Sequence, residues 1–373
     1  MKDILIIGGG KIGETIALFL AATPDYAVTV ADRAREALAR LPDSLPVRPL
    51  VLDATDGEAL RGAMEGQYAV INASPYFLTL PIAQAARAAG IHYIDLTEDV
   101  RSTAKVKEIA ADAATAFIPQ CGLAPGFISI VANDLARRFD TLDSVRMRVG
   151  ALPIYPTNAI KYNLTWSTEG LINEYCQPGE AIVDGELRQT LPLEGREEFS
   201  LDGVRYEAFN TSGGLGTLCD TFRGRVRTMD YRSVRYPGHC DIMKVLLHDL
   251  ELSDRQDLLK DILENAIPAT MQDVVLIFVT VSGTINGRLL QESSVSKIYN
   301  RVMHGTHLSG IQITTASGAC AVLDLLAEGA IAQSGFVRQE DIALGQFLAN
   351  RFGRNFADAE NPLDSERLSA DAA

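Results

Sequence analysis

The first thirteen residues constrain this chain most. Lys2-Asp-Ile-Leu-Ile-Ile7 is a short apolar run that flows directly into Gly8-Gly-Gly10-Lys11-Ile12-Gly13, a Gly-x-Gly-x-x-Gly pattern. In such a turn Gly8 permits the tight bend, Gly10 lets backbone approach a pyrophosphate, and Gly13 allows close packing of helix on strand. A helix opening at Lys11 and Ile12 points its positive N-terminus at the phosphates. Glycine-rich turns are common, so the flanks matter. An apolar strand precedes the turn and an amphipathic helix follows it. A second strand, Ala27-Val-Thr-Val-Ala31, then ends in Asp32, nineteen residues beyond Gly13. That is the spacing expected of the carboxylate that binds the ribose of a dinucleotide. Asp32 accepts from both ribose hydroxyls and repels a 2′-phosphate, which favours NAD over NADP. Arg33 argues the other way if it swings onto a 2′-phosphate, and is otherwise a solvated residue at the start of a helix.

Residues 1–122 alternate strand and helix, the signature of an α/β Rossmann domain with a doubly wound parallel sheet. Further strands are expected at Val47–Asp53, Tyr68–Ala73, Tyr93–Leu96 and Ala116–Pro119. Ligands of such a sheet sit beyond the carboxyl ends of its strands. Asp53 and Ala54 should therefore border the adenine, and Ala73 and Ser74 the nicotinamide. Tyr76, Asp95 and Cys121-Gly122 should face a substrate.

The pattern changes after residue 122. Asp184-Gly185, Asp202-Gly203 and Asn286-Gly287 lie between strand-like runs and read as hairpin turns. The expected organisation is an α+β domain over 123–315 with a largely antiparallel sheet. Helices over 316–356 should pack back on the first domain, followed by a polar tail, 357–373. The 22% charged and 47% hydrophobic composition is that of a globular protein. A net charge of -14 disfavours nucleic acid and anionic membrane as partners. Five scattered cysteines without CxxC spacing fit a reduced compartment without structural zinc. No apolar run reads as a membrane span, and the N-terminus enters a strand without a signal peptide. The expectation is a cytoplasmic protein acting on a small molecule, with no metal.

Four stretches of the second half carry chemistry. Cys121-Gly-Leu-Ala-Pro-Gly126 is either simple turn chemistry or backbone laid beside the nicotinamide. Tyr162-Asn163 through Glu169-Gly170 contains the single tryptophan and a polar face; Glu169 is either a substrate contact or a helix-start carboxylate. Asn210 through Thr217, with Ser212 and Gly213, is either a carboxylate-binding loop or a hairpin link. Arg235-Tyr-Pro-Gly-His239 ends a strand and opens a helix, whose dipole should keep His239 neutral, as a base requires. His304 and His307 lie three apart in a loop with Gly305 and lack a carboxylate partner, so no metal site is expected there.

Taken in order, Gly122-Leu-Ala-Pro-Gly126, Val149–Pro153, Tyr162–Leu171, Tyr206–Gly214 and Val234–His239 resemble the saccharopine dehydrogenase-like family, and within it the L-lysine 6-dehydrogenases most. The resemblance implies a Rossmann domain plus an α+β domain, homodimers formed through the latter, and NAD-linked hydride transfer at a carbon bearing nitrogen. Glutamate-forming members carry arginine where this chain has Glu169 and an acidic residue where it has Ala124. A carboxylate at Glu169 suits a substrate with two amines, so the implied reaction is oxidation of the ε-carbon of L-lysine, giving an aldehyde that cyclises, plus ammonia. Asp95 and His239 would be base or proton relay, with helix capping as the alternative for Asp95. Arg235 with the Ser212-Gly213 loop would hold the α-carboxylate, Asn163 would line the substrate, Glu169 would hold an amine, and Tyr76 would wall the nicotinamide or simply pack. The alternatives are saccharopine dehydrogenase or a carboxynorspermidine-type dehydrogenase, and a non-enzymatic NAD-binding sensor.

Overall fold

The computed structural model describes residues 1–42 and 45–357, so the expected tail lies outside the described residues from 358 onward. The chain forms two compact units. The first comprises Met1–Ile130 and Gln312–Ala357, the second Val131–Ile311. The boundaries differ from those expected at 122 and 316 because side chains beyond them are committed to the first unit. Phe127 stacks on Phe356 with centroids 4.0 Å apart, and Gln312 Nε2 donates to Thr15 Oγ1 at 3.2 Å.

In the first unit, β1 (Lys2–Ile7), β2 (Tyr26–Asp32), β3 (Val47–Val51), β4 (Ala69–Asn72), β5 (His92–Asp95) and β6 (Ala116–Ile118) form one parallel sheet. The order is β3-β2-β1-β4-β5-β6, and the short strand Gly335–Phe336 adds beyond β6. Ile4 to Ile7 are buried, as are Val70, Ile71, Tyr93 and Phe117, because helices cover both faces of a parallel sheet. The order reverses between β1 and β4. Their carboxyl ends therefore diverge into the crevice where such sheets bind ligands.

The helix Gly310–Ala327 corrects one expectation: it is long and apolar enough to cross a membrane by composition. Yet 83% of it is buried within the fold, so its apolar surface serves the core.

The second unit is built on β7 (Thr141–Pro153), β8 (Gly179–Val183), β9 (Glu186–Thr190), β10 (Glu197–Leu201), β11 (Val204–Asn210), β12 (Val226–Arg235), β13 (Asp273–Ile285) and β14 (Arg288–Tyr299). The main sheet runs β10-β11-β12-β7-β13-β14, and the β8–β9 hairpin joins through β12. Every pairing is antiparallel except β12 with β7. At Asp184-Gly185, Asp202-Gly203 and Asn286-Gly287 both residues have positive φ, the primed-turn geometry that matches strand twist. A helical layer packs Tyr162, Leu171, Tyr175, Phe209, Cys240 and Leu259 into one core cluster.

Candidate functional site

The glycines of the first turn divide into two kinds. A Cβ on Gly8, at φ +109°, would lie 2.6 Å from the Ala73 carbonyl oxygen, and one on Gly13 would lie 1.8 Å from that of Gly8. Both are required by backbone packing. A Cβ on Gly10 would meet nothing within 4 Å, so the space beside it is open. Gly10 also N-caps the helix Lys11–Ala21 without a side chain, leaving the N–H groups of Lys11, Ile12 and Gly13 to face an anion. Asp32 is half-buried at the end of β2. Its Oδ2 accepts from Gly9 N at 2.7 Å and its Oδ1 from Ala34 N at 2.8 Å. Each carboxylate oxygen keeps a further lone pair, enough for two ribose hydroxyls. Arg33 is exposed and close enough to Asp53 for its charge to be felt there. Hydrogen bonds from Thr55 hold the exposed Asp53 carboxyl below its usual range, and Ala54 beside it is buried. An open cradle, a helix N-terminus and a ribose acceptor together fit a nicotinamide dinucleotide.

At the ends of β4 and β5 the structure corrects the reading of Asp95. Its side chain is fully buried and occupied: Oδ2 accepts from Tyr93 Oη at 2.8 Å, and Oδ1 from Gln120 N at 2.9 Å and Thr97 N at 3.0 Å. Burial pushes its carboxyl up to about 6, against those three donors. Asp95 is thus a brace between strand ends. It does not cap the next helix; Asp99 does, accepting from Ser102 N at 2.7 Å. The brace continues through Tyr93 to Asn72, whose Oδ1 holds Ser74 N at 3.0 Å. Ala73 and Ser74 are half-buried beside it. Tyr76 is 52% exposed, edge-on to Phe77, so it does not pack in the core. Gly122 is buried, and the neighbouring carbonyls of Cys121 and Gly122 lie 2.6 and 2.9 Å from where a Cβ on Gly318 would sit.

In the second unit a buried cation organises the candidate residues. Arg235 ends β12 at 3% exposure. Its Nε donates to Tyr175 Oη at 2.8 Å and its Nη1 to the Val234 carbonyl at 2.8 Å, while its guanidinium lies 5.1 Å from the Tyr162 ring centroid. Among the described residues Nη2 has no hydrogen-bond partner. Because Tyr175 Oη accepts from Arg235, its one proton goes to His239 Nε2 at 3.0 Å. His239 then carries its own proton on Nδ1, directed at the Ile160 carbonyl at 2.9 Å. His239 is neutral, as expected, but the cause differs. Burial first, and Arg235 second, lower its pKa to about 3. With 1% exposure and both nitrogens bonded, it positions Tyr175 and through it Arg235.

Glu169 is also corrected. It stands in the first turn of the helix Thr168–Cys176, its side chain 67% exposed, and pairs with Lys260 Nζ at 2.7 Å. The ammonium assigned to a substrate is supplied by the protein itself. The carboxylate that lies near Arg235 is Glu174 on the same helix, 7% exposed, and its charge helps keep the guanidinium protonated. Glu207, fully buried, lies cross-strand from Arg235 and accepts from Gly238 N at 3.0 Å and Cys240 N at 2.7 Å. Glu174, Tyr175 and Glu207 were missed. The available signal was a charged residue inside the apolar run Tyr206-Glu-Ala-Phe209. Asn163 is buried, with Nδ2 on Thr157 Oγ1 and the Pro268 carbonyl and Oδ1 without a partner. The loop donor expected at Ser212 is taken, because its N–H bonds the Glu174 carbonyl at 3.2 Å; Gly213 next to it has φ +85°. Among the described residues no three His, Cys, Asp or Glu side chains group as a metal site.

The family model described as Saccharopine dehydrogenase NADP binding domain matches residues 4–118, and that described as Saccharopine dehydrogenase C-terminal domain matches residues 122–352. Mitochondrial alpha-aminoadipic semialdehyde synthase of Mus musculus is 23% identical over 193 residues, 50% of this chain and 21% of that protein. The NADP(+)-dependent, L-glutamate-forming saccharopine dehydrogenase of Saccharomyces cerevisiae is 24% identical over 192 residues, 50% of this chain and 43% of that protein. The chain thus matches less than half the length of these relatives. Among solved structures, apo saccharopine dehydrogenase (L-Glu forming) from Saccharomyces cerevisiae superposes with a TM-score of 0.75 at 17% identity, covering 91% of this chain and 94% of that one. Homospermidine synthase from Legionella pneumophila, in complex with NAD, gives 0.66 at 12% identity, covering 96% and 90%. Two consecutive family models spanning nearly the whole described chain, on a Rossmann unit built for a nicotinamide cofactor, place this protein in the saccharopine dehydrogenase family.

Proposed function

We propose that the chain is a NAD-linked dehydrogenase that oxidises the ε-carbon of L-lysine. The observation that carries this reading is the charge balance around Arg235. One buried guanidinium keeps a donor available, and the carboxylate whose charge acts on it is Glu174. That suits an amino acid with a single carboxylate and two amines better than one with three carboxylates, which would need further cations. Glu169 no longer supports the choice, since Lys260 already neutralises it. NAD is favoured over NADP because Asp32 would repel a 2′-phosphate, while the charge of Arg33 is shared with Asp53.

In this reading Arg235 Nη2 holds the α-carboxylate, and the Tyr175–His239 pair fixes the guanidinium in place. A bound nicotinamide would supply the hydride acceptor for the carbon that carries the amine. The amine must first be neutral, since an ammonium has no lone pair to support loss of hydride. The resulting imine is hydrolysed to an aldehyde and ammonia, and the aldehyde closes on the α-amine. We further propose a cytoplasmic homodimer acting on a free amino acid, with neither nucleic acid nor membrane as partner. Exposed Leu289, Leu290 and Val295 on the edge strand β14 suit contact with a second copy.

The test is reduced-cofactor formation with lysine, ornithine, saccharopine and diamines, each with NAD and NADP, and ammonia assayed alongside. Lysine with NAD should lead, releasing one ammonia per NADH. Turnover of saccharopine without ammonia would sink the reading.

A further inference from the structure

We propose that Glu98 is the general base that removes the proton from the substrate ammonium, a role that rests on the amine-oxidation reading above. Glu98 follows β5 at the carboxyl edge of the parallel sheet, in the loop Leu96–Asp99. That loop is pinned at three points. Thr97 N donates to Asp95, Asp99 N donates to Thr97 Oγ1 at 3.2 Å, and Asp99 accepts from Ser102 N. Each other polar side chain of the loop is therefore engaged. Glu98 is partly buried, and its carboxylate makes no hydrogen bond or ion pair among the described residues. A rigid loop thus holds one carboxylate without a partner at the edge where this sheet binds ligands. The braced neighbour Asp95 belongs to the same network as Ser74 at the end of β4, so the two loop ends keep a fixed relation.

The surroundings suit a base. The one charge acting on Glu98 among the described residues is that of Asp99 on its own loop. Burial first, and Asp99 second, push the Glu98 carboxyl up to about 7. A carboxylate so placed attracts an ammonium and can take its proton near neutral pH. The step balances simply: the N–H bond of R–NH₃⁺ breaks, its electron pair stays on nitrogen, and an O–H bond forms on Glu98.

The experiment compares the pH dependence of kcat/KM for lysine in wild type and Glu98→Gln. With the base present, the rate should rise through about pH 7 and level off. Without it, the rate should follow the free-amine fraction of a group with pKa ~10.4, which is well under one percent at pH 8. Glu98→Gln should therefore lose roughly a hundredfold or more at pH 8 and recover to within a few-fold above pH 10. NAD affinity and Tm should stay at wild-type values, and Glu98→Asp should keep the level profile at reduced rate. A Glu98→Gln profile parallel to wild type, or a Glu98→Asp rate that climbs with free amine, overturns the base role alone. A wild type that oxidises no amine overturns the underlying reading as well.

Discussion

The two units bury polar groups in different ways. In the first, Asn72, Tyr93, Asp95 and Gln120 form a chain in which a carboxylate takes donors from a phenol and two backbone amides, with no cation in it. Its partners are strand ends and turns, so it fixes where the backbone goes. In the second, Arg235 is held by the Tyr175 phenol, a carbonyl and an aromatic face, with His239 behind the phenol. There the backbone is already fixed by a broad sheet, and the buried network aims a charge. A buried network that ends on amides shapes a binding edge, whereas one that ends on a guanidinium offers a contact.

That contrast can be broken most sharply at Arg235. Arg235→Met removes the buried charge and leaves Tyr175 Oη without its donor, and a hydrogen bond to a charged group is typically worth about 1.5–3 kcal/mol. We expect kcat/KM for the amino acid to fall by roughly a thousandfold while NAD affinity is unchanged. A loss under tenfold in steady-state assays would show that the cation only supports the fold. In the first unit the equivalent lesion is in backbone, not charge. Gly13→Ala places a methyl 1.8 Å from the Gly8 carbonyl, so helix and strand must part. Overpacking of this kind costs about 1–3 kcal/mol. The expected result is a lower Tm and a tenfold to hundredfold weaker NAD affinity by titration, and unchanged NAD binding would refute the cradle.

Acid stability separates the units next. His239 binds its proton at about 3 in the folded chain against an ordinary 6.5, so between these values the unfolded chain holds more protons. Stability contributed by neutral His239 is present above 6.5 and lost as pH falls, at up to ~1.4 kcal/mol per pH unit. Asp95 runs the other way. Its folded value of about 6 exceeds the ordinary 3.8, so it favours the folded state at low pH and loses that as pH rises towards 6. Tm measured from pH 4 to 7 should lose its acid-side fall in His239→Gln; a curve parallel to wild type would mean that the imidazole is not buried neutral. The smallest effect is expected at Glu169, an exposed pair with Lys260. Glu169→Gln should change stability by less than about 1 kcal/mol and KM for lysine by less than about twofold. A tenfold rise in KM would restore Glu169 as a substrate contact.

By itself the sequence determined what local chemistry dictates. Gly8, Gly10, Gly13 and Asp32 follow from backbone sterics and strand spacing, so both the cradle and the ribose acceptor could be read from order alone. The three hairpins follow from residue pairs that tolerate positive φ. Side-chain fate was another matter, because burial and partners depend on segments distant in the chain. Asp95 and His239 look like bases until Tyr93, Gln120, Tyr175 and Ile160 occupy them. Glu169 looks like a ligand for an ammonium until Lys260, 91 residues away, takes it. Glu174 and Tyr175 pass for ordinary helix residues until β12 sets Arg235 beside them. Tertiary structure alone decided which charges stay available, since a charge is spoken for only when folding brings its partner within about 3–4 Å.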